Sequence, residues 1–283
     1  MNQKDSGTIR VGIGGWTYEP WQGTFYPEKH PKKRELEYAS RQLTSIEINS
    51  TYYGAQKPET FAKWYEQTPD TFVFSVKAPR YATHRKVLAD AGETIERFLT
   101  GGLTELKHKL GPINWQFMPT KVFDAADFEA FLKLLPQDIN GQALQHAVEV
   151  RHDSFRTPEF ITLARQYGVA VVMSVDSEYP LIVDTTAPFV YIRLMGTQRN
   201  EPLGYPAATL NLWAKRAKCL AKGATPEGLA QLVPSLPDIS KCDVYVYVIS
   251  GNKVSNPCAA MSLIARLAIA RPGALHCPGE RLS

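Results

Sequence analysis

Eight short runs rich in β-branched and aromatic residues recur along this chain, separated by longer segments of helical character. They are Ile9 to Gly14, Ser45 to Asn49, Phe72 to Lys77, Pro112 to Phe117, His146 to Arg151, Val169 to Ser174, Phe189 to Leu194 and Asp243 to Ile249. Runs of this length and composition read as strands buried on both faces, and alternation with helices implies parallel pairing. A doubly wound open sheet and a closed barrel both satisfy the alternation. Eight units in 283 residues favour closure, because an α/β barrel of eight strands occupies ~250 residues. The expected fold class is therefore α/β, a closed (β/α)8 TIM-like barrel. We expect one domain over residues 1–283, the barrel itself covering about 8–275, because no Pro/Ser/Gly linker interrupts the pattern.

Helices are expected over Pro58 to Gln67, Glu93 to Lys109, Asp124 to Leu135, Pro158 to Tyr167, Ala207 to Lys222 and Asn256 to Ala270. Pro58 suits a first-turn position. Phe128, Phe131, Leu132 and Leu135 share a face of the third segment, whereas Gly101-Gly102 weakens the second. Two connections exceed what a turn requires: Trp16 to Arg34 after the first strand, and Met195 to Pro206 after the seventh. Long strand-to-helix loops at a barrel mouth are where binding residues reside.

Side chains alternate along a strand, and this assigns the polar residues. Ile46 and Ile48 share one face, so Glu47 and Asn49 share the other. Val148 and Val150 oppose Glu149 and Arg151; Val76 opposes Ser75 and Lys77. Gln116 aligns with Asn114, Arg193 with Tyr191, and Asp176 with Ser174. Helix-covered strands point their apolar residues outward, so the polar set is expected inside, near the C-terminal ends. Three acids (Glu47, Glu149, Asp176) are expected to meet three bases (Lys77, Arg151, Arg193) there. Mutual pairing is then obligatory, because an uncompensated buried charge costs several kcal/mol. The cluster is either a satisfied ion-pair network or the frame of a ligand pocket. The second reading is preferred, since barrel enzymes carry their active sites at this end.

Candidate catalytic residues are Glu47, Lys77, Glu149 and the loop histidine His84. Candidate ligand-binding residues are Trp16, Tyr18, Asn49, Tyr53, Gln116, Arg151, Asp176, Arg193 and Asn252. The aromatic residues of the first loop and Tyr52-Tyr53 either cap the barrel or form a stacking wall for a flat ligand. No resident metal or cofactor is expected. The three acids could in principle hold a divalent ion, but each has a competing cation within reach. No phosphate-loop, dinucleotide, nucleophile-elbow or zinc-protease motif occurs.

Composition bounds the partners. The net charge of +4 is mild, with one dense basic run from Lys29 to Arg34 that reads as a solvated loop or a phosphate-binding patch. Cys219, Cys242, Cys258 and Cys277 lack metal-ligand spacing. Met1 to Arg10 has no apolar core of a secretory signal, and no run of ~18 apolar residues occurs. A cytoplasmic protein without membrane contact is expected; its oligomeric state is open.

Val11-Gly12-Ile13-Gly14-Gly15-Trp16-Thr17-Tyr18, with Trp21 and Phe25-Tyr26-Pro27, resembles the opening of the domain-of-unknown-function 72 family, also called YecE-like. Ile46-Glu47-Ile48-Asn49-Ser50-Thr51-Tyr52-Tyr53, Phe74-Ser75-Val76-Lys77-Ala78-Pro79, Thr83-His84, Glu149-Val150-Arg151-His152-Asp153-Ser154-Phe155 and Tyr191-Ile192-Arg193-Leu194 extend the resemblance over most of the chain. It implies a TIM-like barrel and no settled activity. The family's polar positions fall on Glu47, Asn49, Lys77, His84, Glu149 and Arg151. Met195-Gly196 stands where the family often has His-Gly. Ser250-Gly251-Asn252-Lys253 and Asn256-Pro257-Cys258-Ala259 replace its paired asparagines and His-Ala segment. The leading expectation is an enzyme acting on a small polar or anionic metabolite. Lys77 with Arg151 or Arg193 would hold an anion, and Glu149 or Glu47 would serve as general base, or Lys77 would form a Schiff base. The alternative is a non-catalytic binder of a nucleotide or nucleic-acid end through the aromatic loop and the Lys29 to Arg34 run.

Overall fold

The computed structural model describes residues 6–235 and 241–271. Cys277 and the expected barrel boundary near residue 275 lie outside them. The eight expected strands form: β1 Ile9–Gly14, β2 Ser45–Ile48, β3 Val73–Lys77, β4 Leu110–Gln116, β5 His146–Glu149, β6 Ala170–Val175, β7 Phe189–Leu194 and β8 Asp243–Val248. Each pairs in parallel with its sequence neighbours, and β8 closes on β1 with Ile9 opposite Val244 and Ile13 opposite Val248. The register slips once, between Phe74 and Val76 where β3 meets β4.

The helices are α1 Glu35–Gln42, α2 Ser50–Tyr53, α3 Pro58–Gln67, α4 Arg80–Thr83, α5 Gly92–Thr100, α6 Ala125–Lys133, α7 Pro158–Gln166, α8 Ala207–Leu220 and α9 Asn256–Leu267. Pro58 opens α3 as expected, Asp124 caps α6 by accepting from Asp127 N at 2.9 Å, and Thr157 caps α7. The segment expected as one helix from Glu93 to Lys109 is two. After α5 the chain breaks at Gly101-Gly102 and resumes as 3-10 turns over Leu103–Lys109. Gly102 has φ +110, and a Cβ on it would sit 2.7 Å from Pro58 Cα, so the break lets this segment abut α3. Helix α1 had no sequence signal: its buried apolar residues are Leu36 and Ala39, too few to mark a period.

Parity along the strands divides the interior into two cores. Val11, Ile46, Val76, Trp115, Val148 and Ile192 face outward and pack under the helices. Val73, Ala147, Val172, Phe189, Tyr191, Tyr245 and Tyr247 fill the barrel itself. At its N-terminal floor the Arg10 guanidinium lies 5.5 Å from the Tyr245 ring centroid and 3.8 Å from Asp243. In the middle layer the Tyr191 and Tyr247 rings lie 5.0 Å apart, with hydroxyls 2.7 Å from Ser75 Oγ and Ser45 Oγ respectively. Small residues opposite these tyrosines let them fit. A Cβ at Gly12 would lie 2.0 Å from Ser45 O. Gly12→Ala should therefore destabilise the fold by about 3 kcal/mol, the upper end for overpacking. Gly54→Ala, whose Cβ meets nothing within 4 Å, is the control. Denaturant midpoints measure both; equal midpoints would refute the tight β1–β2 approach.

Candidate functional site

The alternation that fills the barrel centre with tyrosines places charged residues one layer higher. Glu47, Lys77, Glu149 and Arg193 end β2, β3, β5 and β7 on the inward face, and all are buried. Arg193 joins the two acids, with Nη1 2.7 Å from Glu149 Oε2 and Nη2 3.1 Å from Glu47 Oε1. Tyr191 donates its hydroxyl to Glu47 Oε2 and ties the cluster to the tyrosine layer.

Glu149 accepts five hydrogen bonds. Arg151 gives two to Oε1, from Nε at 2.9 Å and Nη2 at 2.7 Å. Oε2 accepts from Arg193 Nη1, from Gln116 Nε2 at 2.8 Å and from Asn114 Nδ2 at 3.1 Å. Burial by itself would raise this carboxyl, but Arg193, Arg151 and Lys77 outweigh it and hold it well below the usual carboxylate range.

Lys77 is in the opposite position. Its ammonium sits 4.1 Å from the centroid of the Tyr52 ring. Among the described residues no hydrogen bond or ion pair forms to its Nζ. Burial, and then the nearby Arg193, push it down to about 8 against the pull of Glu47 and Glu149. Tyr52 continues outward, its hydroxyl 3.0 Å from His84 Nε2. Burial, Arg80, Arg151 and Lys77 lower the His84 imidazole. Three further buried polar atoms near these side chains have no partner among the described residues: Asn114 Oδ1, Ser174 Oγ and Arg193 Nε. Asn114 neighbours Lys77, and Ser174 neighbours Arg193, in the strand registers.

Several expected participants sit elsewhere. Asp176 adopts φ +54 just beyond β6 and is exposed. It lies against Gly196 and beside the Tyr205 hydroxyl, and it joins no ion pair among the described residues, so the acids of the network are two rather than three. Trp16 turns outward, packing edge-on against Trp64 at 5.1 Å and Phe74 at 6.4 Å. Tyr53 is 65% exposed, and Tyr52 takes the inner place. Tyr18 packs on Trp21, with Lys253 Nζ 4.3 Å from its ring. Asn252 is spent inside its loop on Ser255 Oγ at 2.7 Å. Asn49 folds over Gly14, whose Cβ would meet Asn49 Nδ2 at 2.8 Å. Sequence reasoning left out Tyr179, which stacks under Arg151 at 4.2 Å; its position in a loop carries no strand parity to reveal it. Among the described residues no three His, Cys, Asp or Glu side chains are grouped to hold a metal ion.

The family model described as "Protein of unknown function DUF72" matches residues 10–281. The chain belongs to this family. It is 30% identical to the UPF0759 protein YecE of Escherichia coli over 150 residues, 52% of this chain and 50% of YecE, so the matched part spans half the length of that relative. It is 28% identical to the UPF0759 protein YunF of Bacillus subtilis over 203 residues, 69% of this chain and 68% of YunF. A DUF72 family crystal structure from Thermotoga maritima superposes with a TM-score of 0.70 at 22% identity, covering 92% of this chain and 99% of its own. One from Enterococcus faecalis does so at 0.69 and 17% identity, covering 98% and 100%. These two likenesses concern the fold alone. No helix among the described residues is long and apolar enough to cross a membrane.

This DUF72 protein stakes its stability on Arg193. Arg193→Met would leave Glu47 and Glu149 short of a buried counter-charge and should cost about 3–5 kcal/mol near neutral pH. Without Arg193 the Glu149 carboxyl loses one of the charges that hold it low, so the folded variant takes up a proton there more readily. Its deficit relative to wild type should shrink as pH falls toward the carboxylate range. Denaturant unfolding at several pH values measures this; a deficit that grows on acidification would contradict the assignment.

Proposed function

We propose that this barrel is an enzyme acting on a small anionic carbonyl compound, with the Lys77 amine as its nucleophile. The observation that carries the reading is the contrast between Lys77 and its neighbours. Both oxygens of Glu47 and of Glu149 are engaged in hydrogen bonds, and Glu149 is held strongly ionised. The two glutamates serve better as anchors for the arginines than as the general base. Lys77 is buried, uses none of its hydrogen-bonding capacity on the described residues, and is brought to about 8. An appreciable fraction is then the neutral amine that carbonyl addition requires.

Charge supports an anionic substrate. Lys77, Arg151 and Arg193 outnumber Glu47 and Glu149 by one, so the cluster with charged Lys77 carries one excess positive charge. A monoanion such as a 2-oxo carboxylate neutralises it. Neutral Lys77 adds to the carbonyl carbon, the carbonyl oxygen takes a proton to give a carbinolamine, and loss of water leaves the protonated imine. That cation stays within reach of the Tyr52 ring face, which favours it. Tyr52 and His84 offer a route for the exchanged protons, and Arg193 Nε, Ser174 Oγ and Asn114 Oδ1 offer partners for the substrate's polar atoms. The free thiols of Cys219 and Cys242 accord with a reducing compartment, and the cytoplasm is the location we favour.

Borohydride reduction in the presence of 2-oxo acids should fix the substrate irreversibly on the peptide containing Lys77, detected by mass spectrometry. Trapping should climb about tenfold per pH unit below the lysine pKa and level off above about 8. Undiminished trapping in Lys77→Ala, or none in the wild type with any 2-oxo acid, would refute the proposal.

A further inference from the structure

Outside the barrel, α1 and α3 enclose a cleft of about 420 Å³ that the mouth chemistry does not use. Lys32 and Lys33 border it from the turn leading into α1, and Lys57 and Lys63 from the start and middle of α3; Trp16 and Trp64 also line it. Glu59 is the one acid on this lining, so four ammonium groups face one carboxylate, a local charge of +3. The whole chain carries only +4. Most of the net charge is thus concentrated on one small concavity. Among the described residues none of these four lysines forms a salt bridge, whereas Lys121 and Lys133 elsewhere are paired with Asp127 and Glu129.

Gathering four unpaired cations costs self-repulsion that an anion relieves, and a concave wall raises the local anion concentration. The lining is more than cationic. Trp16 and Trp64 are only half buried, at the edge of a cleft whose volume falls within the range of small-ligand sites. Half-exposed indoles beside ammonium groups suit a flat aromatic ring joined to phosphate. We propose that this cleft is a second binding site, selective for a nucleotide: the base against the tryptophans, the phosphates among Lys32, Lys33, Lys57 and Lys63. The nucleotide is either free or one unit of a single strand; the chemistry is the same, and the test separates the two.

Tryptophan fluorescence is followed while the protein is titrated with adenosine triphosphate and, separately, with a single strand of about ten thymidines, a length within known site sizes. Saturable quenching is expected, weakening steeply between ~50 and ~200 mM salt as counterions compete. Saturation by the triphosphate identifies a free-nucleotide site; saturation by the oligonucleotide alone identifies a strand-binding one. K57A/K63A should weaken binding by about tenfold or more, and charge-reversing Lys63→Glu should weaken it further. Both lysines are exposed, and a wild-type circular dichroism spectrum checks that the fold persists. Lys77→Ala should bind as the wild type, which keeps this site distinct from the mouth. No saturable quenching by either ligand would overturn the proposal. So would affinity that survives K57A/K63A, or displacement by inorganic triphosphate as tight as the nucleotide's own binding, which would leave the base no role.

Discussion

One guanidinium spans the barrel interior. Arg193 reaches from β7 to a carboxylate on β2 and another on β5, closing a gap that no backbone hydrogen bond crosses. Burying three ionised groups is costly unless each is fully coordinated, and the coordination here is dense. Arg151, Gln116 and Asn114 complete Glu149, while Tyr191 completes Glu47. Among the described residues the arrangement leaves Lys77 as the cation of the cluster with a ring face but no hydrogen-bonded or ion-paired partner, and the two properties share an origin. The charge of Arg193 that helps hold Glu149 ionised is also among the forces that make the Lys77 amine a weaker base.

The tyrosine layer below gives the charged layer a firm base. Tyr191 and Tyr247 occupy the barrel axis beside Ser45, Ser75 and Gly12, small residues that leave them room. Tyr247 donates to Ser45 Oγ, whose own proton goes to Val73 O at 2.7 Å, and Ser75 Oγ lies within hydrogen-bond distance of both the Tyr191 hydroxyl and Pro112 O. Polar groups in the centre of a barrel are thereby satisfied, and the positions of Glu47 and Arg193 follow from side chains that cannot easily rotate.

Period-two alternation made the strands and the inward polar set legible from sequence, because outward positions had to be apolar under the helices. Glu47, Lys77, Glu149 and Arg193 converge for that reason alone. Parity fails where a strand ends. Asp176 keeps the alternation on paper, but its left-handed backbone turns the chain away. Between Tyr52 and Tyr53, one short helix decides which ring faces inward, and no strand rule applies. Trp16 stands directly after Gly15, whose φ of +71 redirects the chain toward α3. The hairpin Asp138–Ile139 with Gln142–Ala143 turns on Asn140-Gly141, both at positive φ, a local signal that reading for long strands overlooks.

The floor of the barrel has its own consequence. Phe189, Tyr245 and the Arg10–Asp243 pair stop the interior at its N-terminal end. The interior is closed at that end. On the proposed reading, a compound that adds to Lys77 enters and leaves past the same C-terminal rim, so reactant and product would pass one doorway in turn.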